Sequence, residues 1–134
     1  MTGPQESPSR PLQILCVDDE PAIRTILAQQ LVRMGHCVHT ASDGQEALGK
    51  VAAGMDAFDL VITDNQMPKV TGVELAERLR AGGYSGAILF FTSTLDGRSL
   101  RRIAAVNAVA VVEKGSALST LLSAIERVHP DAKP

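Results

Sequence analysis

The segment that decides the fold runs from Phe58 to Pro68 and reads FDLVITDNQMP. Leu60, Val61 and Ile62 form a short, continuous run of strand-forming apolar residues, and the run stops abruptly at an acid, Asp64. Met67-Pro68 then turns the chain, because proline fixes φ and disfavours helix at the residue before it. An acid at the C-terminal tip of a buried strand serves no packing purpose. In an open parallel sheet that edge is where ligands bind, so the rest of the chain is read for other strands that bring chemistry to the same side.

Upstream, residues 1–11 hold three prolines with Gly, Ser and Gln and little to bury, which predicts a disordered leader. Leu12 to Val17 is too short an apolar run for a helix and predicts a strand ending at Asp18-Asp19-Glu20. Pro21 suits the first turn of a helix with Ile23, Ile26, Leu27, Leu31 and Met34 on its apolar face, closed by Gly35. His36 to Thr40 predicts a second strand, and Asp43 opens a helix with Ala47, Leu48, Val51 and Met55 inward.

Beyond the opening segment, Val73, Leu75, Ala76 and Leu79 mark a third helix closed by Gly82-Gly83. Ala87 to Phe91 predicts the fourth strand, and a weaker helix spans roughly Asp96 to Val106. Ala108 to Glu113 predicts the fifth strand. A last helix carries Leu118, Leu121, Leu122, Ile125 and Val128, and residues 130–134 form a tail. Continuous rather than alternating apolar strands are covered on both faces. Five strands alternating with five helices therefore predict one doubly wound α/β domain over residues 12–129 with a five-stranded parallel sheet.

Composition narrows the function. Hydrophobic residues make up 45% and charged residues 21% of the 134 residues, and the formal net charge is −2. There is no basic field of the kind direct DNA binding uses. No apolar run approaches the ~20 residues of a membrane span, and no signal-peptide pattern is present, so the expected location is the cytoplasm. Cys16 and Cys37 lie in apolar strand-like runs and are expected as two buried, reduced thiols. His36, His39 and His129 show no ligand-like grouping.

The strand ends bring together Asp18 and Asp19, Asp64, Thr92 and Lys114. Converging carboxylates raise the cost of ionising each other, and a hard divalent cation relieves it; Mg²⁺ is commonly held by carboxylates, water and phosphate oxygens. A hydroxyl and an ammonium facing the same point are donors for an anion. Acids for a metal with Thr and Lys for an anion describe phosphoryl chemistry at a carboxylate nucleophile. Taken singly, each residue has an ordinary explanation as a helix cap, turn former or solvated side chain. Their joint placement at the strand ends is what carries the reading.

VDDEP around Asp18-Asp19, TDNQMP around Asp64, FFTS around Thr92 and EKG around Lys114, with Thr92 and Lys114 22 positions apart, resemble the receiver domain of bacterial response regulators from about Leu12 to Val128. The resemblance implies a CheY-like sheet of order 2-1-3-4-5. It implies that Asp64 accepts a phosphoryl group from a histidine kinase or histidine phosphotransfer protein. Asp19, Asp64 and the backbone carbonyl of Asn65 would bind Mg²⁺ directly, with Asp18 acting mostly through water. Thr92 and Lys114 would each hold a phosphoryl oxygen. The chain would catalyse its own phosphorylation and dephosphorylation and convert no other substrate.

Several positions depart from the family pattern or tune it. Val111 stands where receivers usually carry an aromatic residue that reports phosphorylation, and Gly115 stands in place of a proline after the lysine. A cis bond before a non-proline residue costs roughly 2.5–4 kcal/mol, so a trans bond is expected there. Gln66 and Thr94 occupy positions that tune phosphoryl lifetime in the family. Arg98, Arg101 and Arg102, at i, i+3, i+4 spacing, are read as a face for docking a downstream protein partner. The expected state is a monomer or weak homodimer, either stand-alone or part of a longer chain. The alternative is a pseudo-receiver, an interaction module not regulated by phosphorylation. An aspartate-nucleophile phosphohydrolase would place a second acid where Gln66 stands, and no glycine-rich nucleotide loop follows any strand.

Overall fold

The computed structural model describes residues 11–54, 57–93 and 95–128. The expected leader (but for Pro11), the tail, and Met55, Thr94 and His129 lie outside the described residues. The elements are β1 (Gln13–Val17), α1 (Pro21–Arg33), β2 (Cys37–Ala41), α2 (Gly44–Ala53), β3 (Leu60–Thr63), α3 (Gly72–Ala81), β4 (Ala87–Thr92), α4 (Gly97–Ala105), β5 (Ala110–Glu113) and α5 (Leu118–Glu126). The strands form one parallel sheet in the order β2-β1-β3-β4-β5, as expected.

Alternate residues of the inner strands feed two cores. Leu15, Val17, Val61, Ile88 and Phe90 pack against α2, α3 and α4 through Ala47, Val51, Val73, Leu75, Leu79 and Ile103. Ile14, Cys16, Leu60, Ile62 and Leu89 face the other way, toward Leu27 and Leu31 of α1 and Leu121 and Ile125 of α5. Each fully buried aliphatic side chain contributes about 1.5–3 kcal/mol. That double coverage is why β1, β3 and β4 read as unbroken apolar runs.

Helix ends follow local chemistry. The Asp43 side chain accepts from Glu46 N at the start of α2. Thr71 and Glu74 form a reciprocal capping box at α3, and Asp96 accepts from Ser99 N at α4. Gly35 and Gly83, at φ 95° and 98°, take the left-handed conformation that follows α1 and α3.

Two expectations about burial fail. Ile26 is exposed rather than facing the core. Ile23, Leu27, Leu31 and Met34 form the inward stripe of α1, and at about 100° per residue Ile26 falls about 60° beyond its edge at Ile23. Cys16 is buried but Cys37 is exposed. β2 is an edge strand with mostly accessible residues, so an apolar-looking run there does not imply coverage on both faces.

Candidate functional site

The crevice lies at the C-terminal ends of β1, β3, β4 and β5. β1 leads into α1 on one face of the sheet and β3 into α3 on the other, so the chain diverges between these neighbouring strands and leaves an opening above them.

Asp64 follows β3 directly, and its backbone N donates to Val17 O at 3.0 Å. It is buried, at 4% exposure, and both carboxylate oxygens have donors. The Thr92 hydroxyl donates to Oδ1 at 2.7 Å, and Lys114 Nζ donates to Oδ2 at 3.0 Å. Thr92 is itself the last residue of β4. Lys114 follows β5, and its backbone N donates to Thr92 O at 2.9 Å.

Asp18 is also buried, and its Oδ2 lies 2.9 Å from Lys114 Nζ. Its Oδ1 accepts from Glu20 N at 2.9 Å, and its carbonyl accepts from Arg24 Nη1 at 2.6 Å. Burial raises the pKa of Asp18 above the ordinary carboxylate value, against the opposing pull of Lys114 and of the Glu20 amide. Burial alone would lower the pKa of Lys114, but its hydrogen bonds to Asp18, Asp64 and Glu20 outweigh that and hold it above the ordinary lysine value.

Among the described residues, the acids whose oxygens approach within 4.8 Å of one another are Asp18, Glu20 and Asp64. Such a set of hard oxygen donors fits Mg²⁺. Asp19, expected as a direct ligand, is exposed and stands outside this group. Glu20 and Arg24 were not singled out by sequence reading. The Glu20 carboxylate reaches the site from the helix N-cap position, where an acid ordinarily reads as a cap.

The loop after Asp64 is tightly held. Asn65 O accepts from Gly72 N at 2.9 Å, and Asn65 Oδ1 accepts from Val73 N at 3.0 Å. Gln66 and Val111 are both exposed, Val111 at 39%. No described peptide bond is cis, so Lys114-Gly115 is trans as expected.

The arginine face is divided. Arg98 and Arg101 are exposed, but Arg102 makes a bidentate pair with Glu77 of α3, at 2.9 and 2.7 Å. It ties α4 to α3 rather than completing an unpaired three-arginine surface. No described helix is long and apolar enough to cross a membrane.

Comparison with known proteins agrees with this architecture. A family profile described as "Response regulator receiver domain" matches residues 14–126. Response regulator MprA of Mycolicibacterium vanbaalenii is 37% identical over 127 residues, covering 90% of this chain and 53% of MprA. The chain spans about half or less of the length of the curated relatives it matches. The structure of chemotaxis protein CheY4 of Vibrio cholerae superposes with a TM-score of 0.81 at 32% identity, covering 90% of this chain and all of that one (100%). Response regulator protein TrrA of Thermotoga maritima, in complex with Mg²⁺ and BeF, gives a TM-score of 0.79 at 34% identity, covering 88% and 99%.

The pseudo-receiver alternative finds no support in these relationships. Proteins of this kind are signalling switches, not classical enzymes. With the fold, the sheet order and the matched span in agreement, the chain belongs to the response regulator receiver family of phosphorylation-dependent two-component signalling.

Proposed function

We propose that Asp64 is the phosphoacceptor, taking a phosphoryl group from a histidine kinase or a histidine phosphotransfer protein and thereby switching the binding of a downstream protein partner. The observation that carries this reading is the pairing of Asp64: Thr92 at 2.7 Å on one oxygen and Lys114 at 3.0 Å on the other. A donor pair on either side of the acid lies ready for the oxygens of a group arriving there.

Asp18, Asp64 and the Asn65 carbonyl would hold Mg²⁺, with Asp19 or Glu20 contributing from the rim. The ion would supply charge neutralisation on the transferring group. Lys114 carries the positive charge on the opposite side. The Thr92 hydroxyl exchanges its bond to the acid for one to a phosphoryl oxygen, and movement of Thr92 then shifts the loop after β4. The same residues support self-phosphorylation from a small donor and self-dephosphorylation. The reading puts this switch in the cytoplasm, with a partner recognised in part through Arg98 and Arg101.

Intact mass after incubation with Mg²⁺ and acetyl phosphate tests the reading beside an Asp64→Asn control. One added phosphoryl group in the parent and none in the control supports it. An equal adduct in both excludes Asp64 as the acceptor.

A further inference from the structure

The polar side chains buried among the described residues are Asp18, His36, Thr63, Asp64 and Thr92. Asp18, Asp64 and Thr92 belong to the crevice, and His36 accepts from Leu12 N at the other end of β1. Thr63 takes no part in the chemistry proposed for the crevice. It is fully buried, at 0% exposure, and is the last residue of β3.

Side chains alternate along a strand, so Thr63 points to the same side as Val61, toward the core under α2 and α3. Its register partners, Val17 and Phe90, belong to that core. Valine would suit such a place, and a hydroxyl among apolar neighbours is costly unless it is bonded. The Thr63 hydroxyl donates to the carbonyl oxygen of Asp64 at 2.7 Å. No other donor reaches that oxygen among the described residues.

This bond holds a plane. The Asp64 carbonyl and the Asn65 N–H are opposite ends of one rigid peptide unit that also contains both Cα atoms. With the oxygen pinned by Thr63, the N–H is directed to Thr92 Oγ1, 3.4 Å away. Thr92 in turn donates to Asp64 Oδ1 at 2.7 Å. The three bonds run in one direction, from the Thr63 hydroxyl through the peptide to the Asp64 carboxylate, so each polarises the next.

We propose that Thr63 is a positioning residue for the acceptor: its buried hydroxyl fixes the tilt of the Asp64–Asn65 peptide, and with it the Asp64 carboxylate and the bond it receives from Thr92. The holding of the peptide stands by itself; its consequence for phosphoryl binding rests on the reading of Asp64 as acceptor.

Two substitutions separate the hydroxyl from the branched shape. Thr63→Val keeps the shape and removes the donor, whereas Thr63→Ser keeps the donor and removes the methyl group. A packing role makes the serine variant the damaged one, and positioning makes it the valine variant. Asn65 and Asn107 are the two asparagines of the chain. In metal-free protein, ¹⁵N-asparagine labelling therefore gives one backbone reporter in the held peptide and one between α4 and β5. In Thr63→Val the Asn65 amide resonance is expected to shift and its exchange to quicken about five- to tenfold relative to Asn107. Thr63→Ser should stay close to the parent. An unmoved Asn65 amide in Thr63→Val, or an equal change in Thr63→Ser, overturns the proposal.

At saturating Mg²⁺, beryllofluoride serves as the phosphoryl mimic, with bound fluoride read by ¹⁹F NMR. Thr63→Val is expected to bind it about three- to tenfold more weakly than the parent, and Thr63→Ser within about twofold. Equal affinity in the parent and Thr63→Val overturns the proposal by cutting the peptide from the acceptor. If the parent binds no beryllofluoride, the acceptor reading falls, and the Asn65 amide still decides whether Thr63 holds the peptide.

Discussion

Gly72 sits directly beneath Asp64: a Cβ built on it would lie 2.0 Å from the Asp64 carbonyl oxygen and 2.8 Å from the Asn65 Cα. Both neighbours are backbone, so neither can rotate away. The first residue of α3 is thus packed against the chain that carries the acceptor acid and the Asn65 carbonyl.

Gly72→Ala is therefore expected to destabilise the fold by about 1–3 kcal/mol, the usual cost of overpacking. Gly49 is the internal comparison. It is exposed within α2, where a Cβ meets nothing within 4 Å. Gly49→Ala should stabilise by about 0.5–1 kcal/mol through helix propensity. Urea unfolding of the two variants checks both signs.

Lys114 is the counter-ion shared by Asp18, Glu20 and Asp64. Lys114→Ala leaves two buried acids without it, and a loss of about 1–3 kcal/mol is expected at neutral pH without metal. Mg²⁺ should recover more stability in this variant than it adds to the parent, because no ammonium competes for the same oxygens. Thermal unfolding with and without Mg²⁺ measures the difference. A smaller Mg²⁺ effect in the variant would count against the carboxylates as the metal site.

The two thiols are predicted to behave differently. Cys37 is exposed, whereas Cys16 is buried. Burial, with a smaller contribution from the Asp18 charge, pushes the Cys16 thiol up to about 12. A thiol reagent at pH 8 should modify one cysteine in the native protein, with peptide mapping placing it at residue 37. The second should react only after unfolding.

His36 ties the start of β1 to the α1–β2 turn, its Nδ1 accepting from Leu12 N at 3.0 Å. Burial lowers its pKa below the ordinary 6.5. The unfolded chain therefore takes up this proton at higher pH than the folded one. The stability associated with neutral His36 is complete above the unfolded pKa and declines as pH falls through about 6.5 toward the folded value. Denaturant midpoints between pH 7.5 and 5.5 should fall more steeply in the parent than in His36→Gln.

The sheet was legible because β1, β3 and β4 are covered on both faces, so each appears as an unbroken apolar run that ends at its functional residue. Asp64, Thr92 and Lys114 could be read together for the same reason, since a parallel sheet brings all its strand ends to one side. Asymmetric coverage was not legible. Cys37 lies on an edge strand and Ile26 just outside the buried stripe of α1, and local pattern does not record which neighbour is missing. Pairing over long separations was equally hidden. Arg102 could be placed on a helix face by spacing, but Glu77, its partner, lies on another helix. Glu20 reads as an ordinary N-terminal acid until α1 and the end of β5 come together 94 residues apart in sequence.

The central claim is that Asp64 becomes the phosphorylated residue, and the most direct measurement identifies that residue chemically. After phosphorylation with acetyl phosphate and Mg²⁺, borohydride reduces an aspartyl phosphate to homoserine, and peptide mass mapping locates the change. The account predicts homoserine at position 64, absent without the phosphoryl donor. A phosphoryl adduct on the chain with residue 64 still aspartate and homoserine elsewhere would contradict it.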